Sequence, residues 1–127
     1  MADATLLDEV LALARAGEVD AAATLLRDAR RNGPLPEEAL SVFFQLTTKR
    51  GPSEEALELC AEALTVAARP VARSNWLLRR ALLRLELADR ANALADLQAV
   101  MMLRANDGHV EQARAALVRV AQLPKKA

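Results

Sequence analysis

Aromatic residues are nearly absent from this chain, with two Phe, one Trp and no Tyr in 127 residues. β-branched residues are also scarce, so a sheet would have little with which to pack its faces. A single cysteine, Cys60, cannot close an internal disulfide, which removes both a stapled scaffold and any argument for an oxidising compartment. A single histidine, His109, falls short of the several closely spaced ligands that a metal site requires. The start of the chain lacks a basic region, and acids soon interrupt its apolar residues, so it does not read as a signal peptide. No apolar run approaches the roughly 18 residues of a membrane span. Neither a glycine-rich phosphate loop nor a dinucleotide fingerprint occurs. These absences predict a soluble, cytoplasmic protein with no cofactor, no metal, no membrane partner and no enzymatic activity.

What is present is alanine and leucine, 28 and 23 residues, and both favour helices. Small alanines let helices approach closely while leucines fill the gaps between them. The fold class read from this composition is all-α, in one domain over residues 1–127. Formal net charge is zero, yet it is unevenly placed. Residues 1–66 hold 12 acids and 6 bases, and residues 67–127 hold 5 acids and 11 bases. Most of the bases are arginine, which meets carboxylates in planar, two-pronged contacts.

Apolar periodicity and punctuation divide the chain into seven helices. The first runs from about Thr5, read as its cap, to Ala16, with Leu6, Leu7, Val10, Leu11, Leu13 and Ala14 on its apolar face, and Gly17 stops it. The second spans about Val19 to Arg31. Asn32-Gly33-Pro34-Leu35-Pro36 then ends one helix and opens the next, since proline fits a first helical turn. The third continues to about Lys49, and Ser53 is the expected cap of a fourth that ends before Arg69-Pro70. The fifth covers about Val71 to Leu87. Asp89 is the expected cap of the sixth, and Asn106-Asp107-Gly108 both ends that helix and caps the last, which reaches about Leu123.

Two signatures recur 34 residues apart in the same register: Gly17, Ala22, Leu26, Ala29 and Gly51, Ala56, Cys60, Ala63. A third copy, Ala88, Ala93, Leu97, Val100, follows after 37 residues. Such a period marks stacked helix pairs, none of which buries its apolar face alone. The layout resembles the tetratricopeptide repeat (TPR) family over roughly residues 4–106. Ala22, Ala56 and Ala93 match its small packing position, Gly17 and Gly51 its turn, and Pro34 its repeat end; Ala93-Leu94-Ala95-Asp96-Leu97 is close to its common wording. The first helices depart from the family, with Leu6, Leu40 and Leu77 at its aromatic position and Val10, Phe44 and Ala81 at its glycine. The resemblance implies a right-handed solenoid of three antiparallel helix pairs, about 4–34, 36–69 and 71–105, plus a closing helix over about 107–123.

It also implies a concave groove that docks a peptide or amphipathic helix of a protein partner. Leu7, Leu11, Gln45, Leu78, Arg79 and Leu82 are the residues expected to line it. The lysines and asparagines that clamp a C-terminal carboxylate in one subset of the family are missing, and only Arg79 agrees. Arg73, Arg80 and Arg84 fall on one face of the fifth helix and form a candidate basic ridge, suited to an acidic segment. Neutral net charge, few lysines and few aromatics argue against nucleic acid. An adaptor or scaffold is the function expected. The alternatives are a TPR-type secretion chaperone and a subunit that self-associates, as a homodimer or short stack, through oppositely charged ends. Cys60 and Trp76 read as packing residues, and the Glu54, Glu58, Glu62 stripe as a solvated face.

Overall fold

A computed structural model describes residues 2–124, with side chains from Thr5 onward, as seven α-helices. In chain order they are α1 (Ala2–Arg15), α2 (Val19–Asn32), α3 (Glu37–Thr48), α4 (Glu54–Val66), α5 (Pro70–Glu86), α6 (Arg90–Leu103) and α7 (Asp107–Gln122). No strand occurs among the described residues. The chain groups into two compact units, the division falling between Leu59 and Cys60 within α4.

In the first unit α2 packs against both α1 and α3. The α1–α2 turn is a Schellman motif: Glu18 N–H donates to Leu13 C=O at 2.9 Å and Gly17 N–H to Ala14 C=O at 3.1 Å. Gly17 sits at φ +83°, where an L side chain would be strained. Pro36 precedes α3 in extended backbone, and Glu37 and Glu38 occupy the positive end of that helix. Val10, Ala22, Leu26, Phe43 and Leu59 are among the fully buried side chains. Ser53 opens α4 by accepting from Ala56 N–H at 3.1 Å. Thr5, expected as a cap, lies inside α1, which begins at Ala2. Ala2-Asp3-Ala4 extends the helix by a turn because alanine favours it.

In the second unit α5, α6 and α7 pack pairwise. Their common core holds Leu77, Leu78, Ala81 and Leu85 of α5, Ala93, Leu97 and Val100 of α6, and Ala113, Ala116 and Val120 of α7. The α5–α6 turn repeats the Schellman geometry with no glycine. Asp89 N–H donates to Arg84 C=O at 2.8 Å, Ala88 N–H donates to Leu85 C=O at 3.0 Å, and Ala88 holds φ +58°. The side chain of Asp89 then accepts from Asn92 of α6, and that of Asn106 from the His109 N–H of α7 at 3.0 Å. Of the repeated positions, Ala22, Leu26, Ala56, Cys60, Ala63, Ala93, Leu97 and Val100 are solvent-inaccessible, and Ala29 is half-buried.

Candidate functional site

A buried cluster of charged side chains joins α5 and α6. Arg80 and Arg84 are one helical turn apart on α5, and both reach Asp96 on α6. Arg80 meets the carboxylate two-pronged, Nε to Oδ2 at 2.9 Å and Nη2 to Oδ1 at 2.8 Å. Arg84 Nη1 donates to Oδ2 at 2.8 Å. The Asp96 side chain is 5% exposed and the two guanidiniums about a fifth. Hydrogen bonding to Asp96 holds Arg80 firmly protonated, above the usual arginine range, against the desolvation that opposes it. One carboxylate thus holds two cations, a geometry in which paired donors satisfy both oxygens.

This placement corrects the candidate basic ridge. Arg80 and Arg84 turn inward because α6 supplies a buried acid within reach. Arg73 turns toward α4, where its Nη1 donates to Leu64 C=O at 2.8 Å and Ala67 C=O at 3.2 Å. Those are carbonyls of the α4 C-terminus, which have no partner within the helix, so Arg73 acts as a side-chain cap. Arg90 also reaches the end of α7, donating to Val120 C=O at 3.3 Å, a carbonyl that the Leu123 N–H reaches as well.

The groove residues divide between the two units. In the first, Leu7 and Leu11 are half-buried on α1 and Gln45 is exposed on α3. In the second, Leu78 is buried in the α5–α6–α7 core and lines no surface, a correction to its expected role. Its neighbour helices cover α5 on two sides, so the apolar arc of α5 is wider than a single groove-facing stripe. Leu82 is half-buried against the same core. Arg79 lies over the Trp76 ring at 4.6 Å, and Trp76 itself is buried.

Cys60 and Ser74 are equally enclosed. Cys60 is solvent-inaccessible, and burial pushes its thiol up to about 12, with Arg80 the foremost of the groups that oppose the rise. A thiol so protonated is a packing group rather than a nucleophile. Ser74, also inaccessible, lies 3.0 Å from Nδ1 of His109, which ties the start of α5 to the start of α7. Among the described residues no group of His, Cys, Asp and Glu is arranged to hold a metal ion. No helix among them is long and apolar enough to cross a membrane.

The first unit carries its ion pairs nearer the rim. Arg27 of α2 meets Glu55 of α4 two-pronged, at 2.8 and 2.9 Å, and lies over the Phe43 ring at 5.7 Å. The hydrogen bond from Arg27 holds the Glu55 carboxyl below its usual range. Arg50 pairs with Asp20 across an open cleft of about 480 Å³, also lined by Gly17, Glu18 and Lys49. Charges of both signs surround that cleft, so it favours no ion of either sign.

Asp96 and the capping role of Arg73 were missed by sequence reasoning. The signal available for Asp96 was that it is the one acid of α6, among apolar neighbours Leu94, Ala95 and Leu97, with arginines spaced four apart on the helix before it. No family model matches this chain, and neither does any curated protein or solved structure.

Proposed function

We propose that this chain is a non-enzymatic, TPR-like interaction module, in which a segment of a partner protein docks on the exposed flank of the helices. The observation that carries the reading is the repeated hairpin construction. The α1–α2 and α5–α6 turns close with the same pair of backbone hydrogen bonds, around Gly17 and Ala88 at corresponding places. The small residues that follow each turn, Ala22 and Leu26 in one and Ala93 and Leu97 in the other, are sealed from solvent. Helices built this way are rigid, and a rigid surface binds a segment with little ordering cost on its own side. The polar and nucleophilic groups inside, Asp96, Ser74 and Cys60, are engaged in holding helices together.

The docking residues of this proposal are Leu7, Leu11 and Gln45, a mix of apolar anchors and an amide. The test is retention of partners from a cell extract by the parent chain and by a Leu7→Glu/Gln45→Arg variant. Circular dichroism establishes that the variant keeps its helicity. A partner held by the parent and lost by the folded variant supports docking on this flank. A partner held equally by both overturns it.

A further inference from the structure

Among the described residues, six large apolar side chains are well exposed, and four of them gather at one end of the second unit. Val66 ends α4 and Val71 begins α5; Met102 and Leu103 end α6. The Ser74–His109 contact at 3.0 Å pins the start of α5 to the start of α7, and Arg73 binds the α4 carbonyls. The α4–α5 and α6–α7 loops therefore leave the unit at the same end. Met102 is the extreme case at 84% exposed, a flexible side chain suited to adaptable contact. Such a cluster on a small soluble chain marks an interaction surface more often than an accident of folding.

The exposed charges of the two loops at that end are two arginines, with Asp107 at the start of α7 beside them. Arg69 and Arg104, one in each loop, are exposed and form no ion pair among the described residues, whereas Arg80, Arg84, Arg114 and Arg119 all do. Asp107, the carboxylate nearest Arg104 in sequence, stands in the first turn of α7, where the helix dipole favours it. The first unit has the opposite balance, 11 acids against 6 bases, while the second has 6 acids against 11 bases. On α1, Asp8 and Glu9 are adjacent, exposed and without an ion pair among the described residues.

We propose that the Val66–Val71–Met102–Leu103 end of the second unit docks onto the acidic first unit of a second copy of this chain, with Arg69 and Arg104 facing Asp8 and Glu9. Equal and opposite charge on the two units is what selects another copy as the occupant. The apolar side chains supply the affinity, and the arginines supply register and steering.

The test is mass measurement of the whole chain by sedimentation equilibrium over a dilution series, at low and at high salt. The expected result is a mass that climbs from 13.7 kDa to a dimer or higher species with concentration, more weakly in high salt. Arg69→Glu/Arg104→Glu should return the chain to the monomer mass while its helicity is unchanged. Mixing that variant with Asp8→Lys/Glu9→Lys should restore assembly, because the charges are then exchanged between copies. Met102→Glu, at a side chain 84% exposed in its own copy, should also dissociate it. A parent chain that stays monomeric throughout overturns the proposal, and so does assembly unaffected by the reversal or not restored by the exchange.

Discussion

In the first unit Arg27, Arg30 and Arg50 reach carboxylates that remain open to solvent, with Glu55 28% and Asp20 74% exposed. In the second unit Asp96 is sealed at 5% and two arginines close over it. The geometry of the hydrogen bonds is similar, two-pronged and 2.8 to 2.9 Å, in Arg27–Glu55 and in Arg80–Asp96. Burial is what separates them. An exposed partner left alone is rehydrated, whereas a buried one leaves its desolvation cost behind. The second unit therefore depends on one carboxylate in a way the first does not.

Asp96→Ala gives the largest effect, because it strands two partly buried guanidiniums in the α5–α6 interface. A loss of about 3–5 kcal/mol is expected, read by urea unfolding of the whole chain. Asp96→Asn keeps the shape and some acceptor capacity, so it should fall between that variant and the parent. If Asp96→Ala costs no more than an exposed pair does, burial is not what distinguishes the two units.

Cys60 sharpens the contrast at alkaline pH. Its thiol is held up to about 12 in the folded chain by burial, while in the unfolded chain it titrates near its ordinary value. Above that ordinary value the unfolded state loses the proton and the folded state keeps it. Stability should therefore fall with rising pH, by at most about 1.4 kcal/mol per pH unit, until the folded thiol also ionises. Comparison of unfolding midpoints of the parent and Cys60→Ala across this window isolates the thiol from lysines and other groups. Parallel pH profiles for the two would sink the assignment.

The hairpins differ as well. Gly17 occupies its left-handed position freely, but Ala88 holds φ +58° with a Cβ. The left-handed region costs a non-glycine residue about 1–2 kcal/mol, and glycine returns part of that as extra freedom in the unfolded chain. Ala88→Gly should stabilise the chain by about 0.5–1 kcal/mol, seen as a higher denaturant midpoint with unchanged slope. Gly17→Ala should cost a comparable amount. A neutral result at both sites would mean that left-handed backbone carries no strain at these turns.

Much of the helical layout was legible because its punctuation is local. Gly17 at the end of an apolar run, Ser53 before Glu54 and Glu55, and Asn106 before α7 each act within a few residues of themselves. The side-chain roles depend on neighbours distant in sequence, and there the reading failed in specific ways. Arg80 and Arg84 share a face of α5 as their spacing requires, but only α6 decides that the face is covered and that Asp96 waits behind it. Leu78 stood as groove lining only through the resemblance, which puts that position of the first helix of each pair on the concave face. With α6 and α7 both packed on that helix, its apolar arc is wider and Leu78 falls inside.

The smallest effect belongs to Glu55, and it tests the exposed side of the comparison. Arg27 holds the Glu55 carboxyl below its usual range, through a hydrogen bond opposed by partial desolvation. A carboxyl depressed on folding adds stability that is present above its unfolded value and lost as pH falls through the folded one. The loss should therefore begin as pH falls through the ordinary carboxylate range, where Glu55 in the unfolded chain takes up its proton first, and continue below it until the folded carboxyl is protonated too. Because Arg27 and Glu55 are both partly open to water, the contribution is about 0.2–1 kcal/mol and shrinks in high salt. Glu55→Gln should flatten the acid limb of the stability profile by that amount and leave neutral-pH helicity intact. A loss as large as that of Asp96→Ala would place the Arg27–Glu55 pair with the buried ones, and the two units would then share one way of holding charge.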